Sequence, residues 1–309
     1  MASKQLLQMA DFYADLAGRW PAQDVVMQRD LAERLHLLAT EPEGVTYAEA
    51  DAGGVPALWC IPLDASPEHV LLHSHSGGSV VSSMHMDRKA VAHLAKAVGA
   101  RALVVDYRLA PENKFPAQLD DVETAFRWLL QQGYKAARIA SIGHSIGGNY
   151  AVNLALTLGR KAAPSPGAVL SMSPWFDMEV KGATIDTHAH LDRQLSRDQL
   201  LGFADLMLAG TGVSNADPRI NLTKADPADL PPTMIYYGDQ EILSGEAIDF
   251  AEKARAAGVD VTLRALQDGQ HNFILGAGRV PEIDAAIIEM ARWLREKLGL
   301  APAVEGGTA

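Results

Sequence analysis

Gly143-His144-Ser145-Ile146-Gly147 has the spacing G-x-S-x-G inside the longer run SIGHSIGGN at 141–149. An apolar stretch, RIASIG, precedes it, and a helix-like stretch, IGGNYAVNLALTL, follows. Strand, sharp turn and helix in that order lift a serine hydroxyl above a sheet, with a helix N-terminus beneath it. A serine hydroxyl is a weak nucleophile without a base, and the base needs an acid to orient it. In this arrangement the chain order is serine, acid, histidine. Of the ten histidines only His188, His190 and His271 follow Ser145. The first two lie in a polar segment. His271, in DGQHNF, comes just after the last strand-like run, where the base belongs. The acid belongs in the loop after TMIYYGD, and that loop offers Asp239 and Glu241. Together these residues point to acyl transfer through a covalent intermediate.

LLHSHSGGSVV at 71–81 admits two chemistries. Residues two apart on a strand share a face, so His73 and His75 could hold one metal ion. THAHLD at 187–192 supplies a second H-x-H, His188 and His190, and two such pairs could complete a site. The other chemistry uses Ser76, Gly77 and Gly78 as a backbone loop whose N–H groups receive an oxyanion. Metal hydrolases of the H-x-H type continue with nearby Asp and His, whereas Ser, Gly, Gly and Ser follow here. With a complete Ser-acid-His set elsewhere, the oxyanion loop is the expectation, and neither metal nor cofactor is required. His75 then anchors the loop, and His73 is a satisfied core or pocket histidine.

The elements that must position these groups read as an α/β fold. The first forty residues are helical, with Leu6, Met9, Tyr13 and Leu16 at helical spacing and a second helix from Asp24 to Leu38. A hairpin turns at Ala52-Gly53-Gly54. Six further strands alternate with amphipathic helices. Val91, Leu94, Ala95 and Val98 share one helical face, and Leu119, Val122, Phe126 and Leu129 another. Such alternation predicts an eight-stranded, mostly parallel sheet with helices on both faces. Residues 178–222 break the rhythm, are polar, and contain a helix from Arg197 to Leu208. They read as a cap insertion, with residues 1–45 as the other part of the cap. The core then comprises 46–177 and 223–300, and 301–309 is a frayed tail.

Composition narrows the class. Across 309 residues the net charge is −11, which argues against nucleic acid and anionic membrane as partners. Hydrophobic residues make up 48% of the chain, enough for a large core. Cys60 is the only cysteine, so the chain has no intrachain disulfide and no cysteine-based zinc site, and Cys60 reads as a buried hydrophobe. The N-terminus lacks the pattern of a signal peptide, and no apolar run approaches the ~20 residues of a membrane span. A soluble cytoplasmic protein is the expectation.

These residues resemble the hormone-sensitive-lipase-like group of α/β-hydrolases, which includes bacterial carboxylesterases. The likeness runs from about residue 69 to 298. It is carried most specifically by DYRLAPENKFPAQLDDVETAFRWL at 106–129, and also by DPADLPPTMIYYGDQEIL at 226–243 and GQHNF at 269–273. The resemblance implies that the acid stands two residues before a leucine, which selects Glu241 in Glu241-Ile242-Leu243. It also places His75-Ser76-Gly77-Gly78 at the family's His-Gly-Gly-Gly loop, so that Gly77, Gly78 and Ile146 offer the oxyanion N–H groups. Three residues depart from the family pattern: Ser76 for a glycine, His144 for the usual Asp, and Ile146 for the usual Ala. His144 is expected to hydrogen-bond behind the nucleophile. The implied function is hydrolysis of small short-acyl esters, with lactones as the alternative on the same residues. The reading of another class is a small-molecule receptor, as in relatives that have lost the base. A homodimer is also implied.

Overall fold

Two helices precede the sheet in the computed structural model, which describes residues 2–21 and 24–301. The tail expected at 301–309 therefore lies, from residue 302 on, outside the described residues. Helix α1 (Lys4–Gly18) is capped by the Ser3 hydroxyl, which accepts from the Leu6 N–H, and it buries Leu6, Met9, Tyr13 and Leu16. Three- and four-residue spacing puts these four on one face. Helix α2 (Val25–Glu33) is capped by Asp24 and runs into a 3-10 turn through Leu37.

Among the described residues, eight strands form one sheet in the order β1-β2-β4-β3-β5-β6-β7-β8. β1 (Val45–Asp51) and β2 (Pro56–Pro62) make the antiparallel hairpin expected around Ala52-Gly53-Gly54, with Val45 opposite Pro62. β2 is also antiparallel to β4 (Ala100–Val105). β3 (Ser66–Ser74), β5 (Ile139–His144), β6 (Ala168–Met172), β7 (Thr233–Gly238) and β8 (Val261–Leu266) run parallel to their neighbours. β5 and β6 are buried at every residue, the pattern of a strand covered on both faces.

The two faces of the sheet separate by alternation. Leu71, Ala102, Val104, Ala140 and Ile142 join one core, with α1, α3 (Met84–Val98) and α9 (Pro281–Lys297). Val70, Leu72, Leu103, Val105 and Ile139 join the other, with α4 (Ala117–Gln131) and α5 (Ile146–Arg160). Below β6 and β7, α5 also packs with α8 (Ser244–Ala256) around Phe176 and Phe250.

Residues 178–222 contain a single turn, α6 (Thr184–Thr187), and α7 (Arg197–Leu208), the helix expected there. Reading this segment as polar needs correction. Met178, Val180, Ile185, Leu200, Phe203, Met207 and Leu208 are buried in the α4–α5 core. These apolar residues are dispersed among charged ones, so their common burial shows only once the segment is folded.

Candidate active site

β5 ends at His144 and α5 begins at Ile146, which leaves Ser145 alone in the turn with φ 57 and ψ −126. A side chain at positive φ is strained. The surroundings hold it: the Ser145 N–H donates to Met172 O at 3.0 Å, and its carbonyl accepts from Trp175 N–H at 3.1 Å. The flanking glycines are required by close approach. A Cβ on Gly143 would stand 2.2 Å from Gly147 O, and one on Gly147 would stand 2.0 Å from Ser74 O.

His271 Nε2 lies 2.9 Å from Ser145 Oγ, and His271 Nδ1 lies 2.6 Å from Glu241 Oε2. The other oxygen of Glu241 accepts the Gly238 N–H at 2.9 Å. Three residues spread over 127 positions thus form one chain of hydrogen bonds. Glu241 and His271 are fully buried, and Ser145 is 6% exposed. Burial disfavours charge on both partners. It pulls His271 down from 6.5 to about 3 and pushes Glu241 well above the usual carboxylate range. His271 is therefore neutral at neutral pH, with Nε2 free to accept a proton from Ser145. Asp239, the other acid of the loop, is half-buried and spends its backbone N–H on Leu266 O.

The glycine loop leaves β3 and faces the same cavity. Gly77 and Gly78 have φ 97 and 59. A Cβ on Gly77 would meet Val81 O at 2.1 Å, so no other residue fits. His75 Nδ1 bonds Ser76 O at 2.8 Å, and its ring stacks on Tyr107 at 4.0 Å. The Tyr107 hydroxyl reaches His75 O at 2.8 Å and Ser76 O at 3.2 Å. Tyr107 belongs to the DYRLAPE motif, so that motif braces the loop. Ser76, Gly77, Gly78, Ser145 and His271 line a cavity of about 50 Å³ with Trp20 and Phe203.

The two histidines of HSHSGG do not converge. His73 Nε2 bonds Asp87 Oδ2 at 2.7 Å, away from the Tyr107 stack of His75. The second partner of that same Asp87 oxygen is His144 Nε2, at 2.6 Å. Among the described residues, His73, Asp87 and His144 are the group with metal-ligand donors close together. THAHLD takes a different role. His188 Nδ1 faces Glu241 O and Ser244 Oγ, and His190 is exposed.

Sequence reasoning missed three positioning residues. Asp192 accepts the Ile242 N–H with one oxygen and those of Gln194 and Leu195 with the other. Gln270 donates to Leu191 O and Gln240 Oε1 and accepts from Arg193 N–H. Both tie segment 191–195 to the loops that carry Glu241 and His271. Asp87 is fully buried. Its signal was present: an acid in MHMDRKAVAHLAKAV at helical spacing from Val91 and Leu94 interrupts an apolar stripe.

Residues 71–275 match a family described as the alpha/beta hydrolase fold. This chain belongs to that family. Within the α/β-hydrolases it is similar to an acetyl-hydrolase of Streptomyces hygroscopicus, 32% identical over 232 residues that cover 74% of this chain and 76% of the relative. Esterase LipU of Mycobacterium tuberculosis is 27% identical over 87% of this chain and 92% of its own length. A crystal structure of an esterase from the bacterial hormone-sensitive lipase family superposes with a TM-score of 0.93 at 33% identity, covering 97% of this chain and all of the other. The protein is thus a carboxylesterase of the hormone-sensitive-lipase-like type, as the motifs implied. No helix among the described residues is long and apolar enough to cross a membrane.

Proposed function

We propose that this α/β-hydrolase cleaves small, short-acyl esters through an acyl-enzyme, with Ser145 as nucleophile, His271 as base and then acid, and Glu241 as its orienting carboxylate. The observation that carries the reading is the Ser145–His271–Glu241 chain of 2.9 and 2.6 Å opening into the cavity lined by Gly77 and Gly78. Ser145 Oγ attacks the ester carbonyl and gives its proton to His271 Nε2. The N–H groups of Gly77, Gly78 and Ile146 receive the oxyanion; loss of one such donor costs about 3–4 kcal/mol in comparable sites. His271 then protonates the leaving alcohol, and water, deprotonated by the same nitrogen, releases the acid. Glu241 keeps the proton of His271 on Nδ1 and stabilises the imidazolium as it forms.

Substrate size follows from the cap. Residues of α1 and α7 close over the cavity, and Phe203 packs over Gly78 and edge-on to Trp20 at 6.0 Å. A cavity of about 50 Å³ is a third of the ~150 Å³ void that admits benzene, which favours acetyl- and propionyl-sized groups. The similarity to an acetyl-hydrolase agrees with that size.

The test is a panel of nitrophenyl esters from acetate to decanoate, with small lactones beside them, for wild type and Ser145→Ala, with and without chelator. The expected result is a preference for the shortest linear esters, a loss of at least about 10³-fold in Ser145→Ala, and no effect of chelator. Turnover that survives Ser145→Ala would remove the serine mechanism. Lactones turned over faster than acetate esters would move the substrate class to cyclic esters.

A further inference from the structure

Directly behind the nucleophile lies a fully buried polar group that the triad does not use. Asp87 Oδ2 accepts from His73 Nε2 at 2.7 Å and from His144 Nε2 at 2.6 Å. His144 Nδ1 faces Asn272 Oδ1 at 2.6 Å. The carbonyl of Asn272 accepts the Tyr13 hydroxyl of α1 at 3.0 Å. His144 is the residue before the nucleophile, and Asn272 is the residue after the base. Asn272 stands at φ 58, in the left-handed region that asparagine adopts more readily than most residues with a side chain.

The charge on this group can be placed. Asp87 is 0% exposed, and its Oδ1 has no hydrogen-bond partner among the described residues. A buried carboxylate needs a cation. Among the described residues, the groups within ion-pair distance of Asp87 are His73 and His144. His73 has an acceptor on one nitrogen only, for its Nδ1 has no partner. His144 has an oxygen facing each nitrogen, so both of its nitrogens can hold protons.

We propose that His144 is a positioning residue held as an imidazolium between Asp87 and Asn272, and that it fixes the turn carrying His271 and keeps a positive charge behind the triad. Electrostatics run the same way. Burial, the largest single influence, would lower His144, yet the Asp87 carboxylate and the hydrogen bond to Asn272 together outweigh it and the net shift is upward. On His73 burial wins and the shift is downward. His144 is in turn one of the groups that disfavour protonation of His271, while Asp192 opposes it. The groups that face His144 are Asp87 from α3, His73 from β3, and Asn272 and His271 from the loop after β8.

The same three residues could be read as a metal site, but their spacing is that of hydrogen bonds. Two ligand atoms 2.6 Å apart, each ~2.0–2.1 Å from an ion, subtend about 80° rather than a tetrahedral angle. The Asn272 amide turned end for end would donate through Nδ2 and leave His144 neutral, and that is the other state to be distinguished.

The deciding measurement needs no variant. In wild-type protein labelled with 15N-histidine, with the His144 ring assigned through its link to the Ser145 amide, both ring nitrogens are expected to carry protons at pH 8. A neutral ring at pH 8 overturns the proposal. One equivalent of tightly held zinc in the purified protein also overturns it, because a ligating Nε2 has no proton. The rate readout rests on the esterase function proposed above. His144→Asn is expected to lower kcat roughly tenfold to a hundredfold, with KM for a short ester within about twofold. It should also raise the acid limb of kcat/KM by about one pH unit, because a nearby like charge is gone. A lower melting temperature with an unmoved acid limb would reduce His144 to a structural part and defeat the proposal. If wild type turns over no ester, the esterase reading fails while the nitrogen signals still decide the state of His144.

Discussion

In the proposed mechanism His271 must be neutral to take a proton from Ser145, and its surroundings favour that form. Burial pulls it well below 6.5, and His144 acts in the same direction. That mechanism needs the neutral form, so kcat/KM should fall only when pH drops through a value below 6.5. A pH profile on nitrophenyl acetate between pH 4 and 9 measures this; an acid limb centred at 7 or above would contradict it. The carboxylate beside it can be tested by shape rather than by charge alone. Glu241→Gln preserves volume but can turn an N–H toward His271 and fix the wrong tautomer. A comparable exchange in a serine protease triad lowers kcat about 10⁴-fold, and a loss of at least 10³-fold in kcat is expected here. A variant within tenfold of wild type would remove Glu241 from the triad and return attention to Asp239.

At the scale of elements, the proposed acyl pocket is bounded where α7 meets the glycine loop. Phe203 is 6% exposed and lies against Gly78, while Gly77 is fenced by the backbone of Val81. Phe203→Ala should therefore enlarge the site without disturbing the loop. The ratio of kcat/KM for octanoate to that for acetate is expected to rise by at least about tenfold, since each methylene accommodated is worth ~1–3 kcal/mol. An unchanged ratio would mean that α7 does not limit the acyl chain. The loops bearing Glu241 and His271 depend on the same insertion. Asp192 and Gln270 stitch segment 191–195 to both, so the insertion and the loops of Glu241 and His271 are parts of one framework.

At the scale of the molecule, α1 belongs to the core. Leu6, Met9, Tyr13 and Leu16 share a cluster with Phe273, Ile283 and Ile287, and Ser3 bonds Glu282 at the start of α9 through both N–H and hydroxyl. Cap and core should melt together, giving a single calorimetric transition. Leu6→Ala should lower that transition by roughly 5 °C or more, from the cost of emptying a buried leucine site. A separate low-temperature transition for the N-terminal helices would show them to be loosely attached.

Much of this was legible in the sequence because it is local. G-x-S-x-G needs glycine where Gly143 and Gly147 approach backbone at 2.2 and 2.0 Å, and that steric demand is written in five consecutive residues. Apolar runs alternating with amphipathic helices determined the parallel sheet, its hairpin and the place of His271 after the last strand, since period and burial are set residue by residue. The choice of Glu241 over Asp239 was not local. It came from a resemblance, and the geometry brings Glu241 to His271 only because β7 and β8 are neighbours. Nor could the sequence pair His73 with Asp87 rather than with His75, or show that His144 bridges Asp87 and Asn272 across 57 and 128 positions. Those contacts, like the 50 Å³ cavity lined by Trp20 and Phe203, exist only where sheet order and helix packing bring distant side chains to one point, and no short window of sequence encodes that convergence.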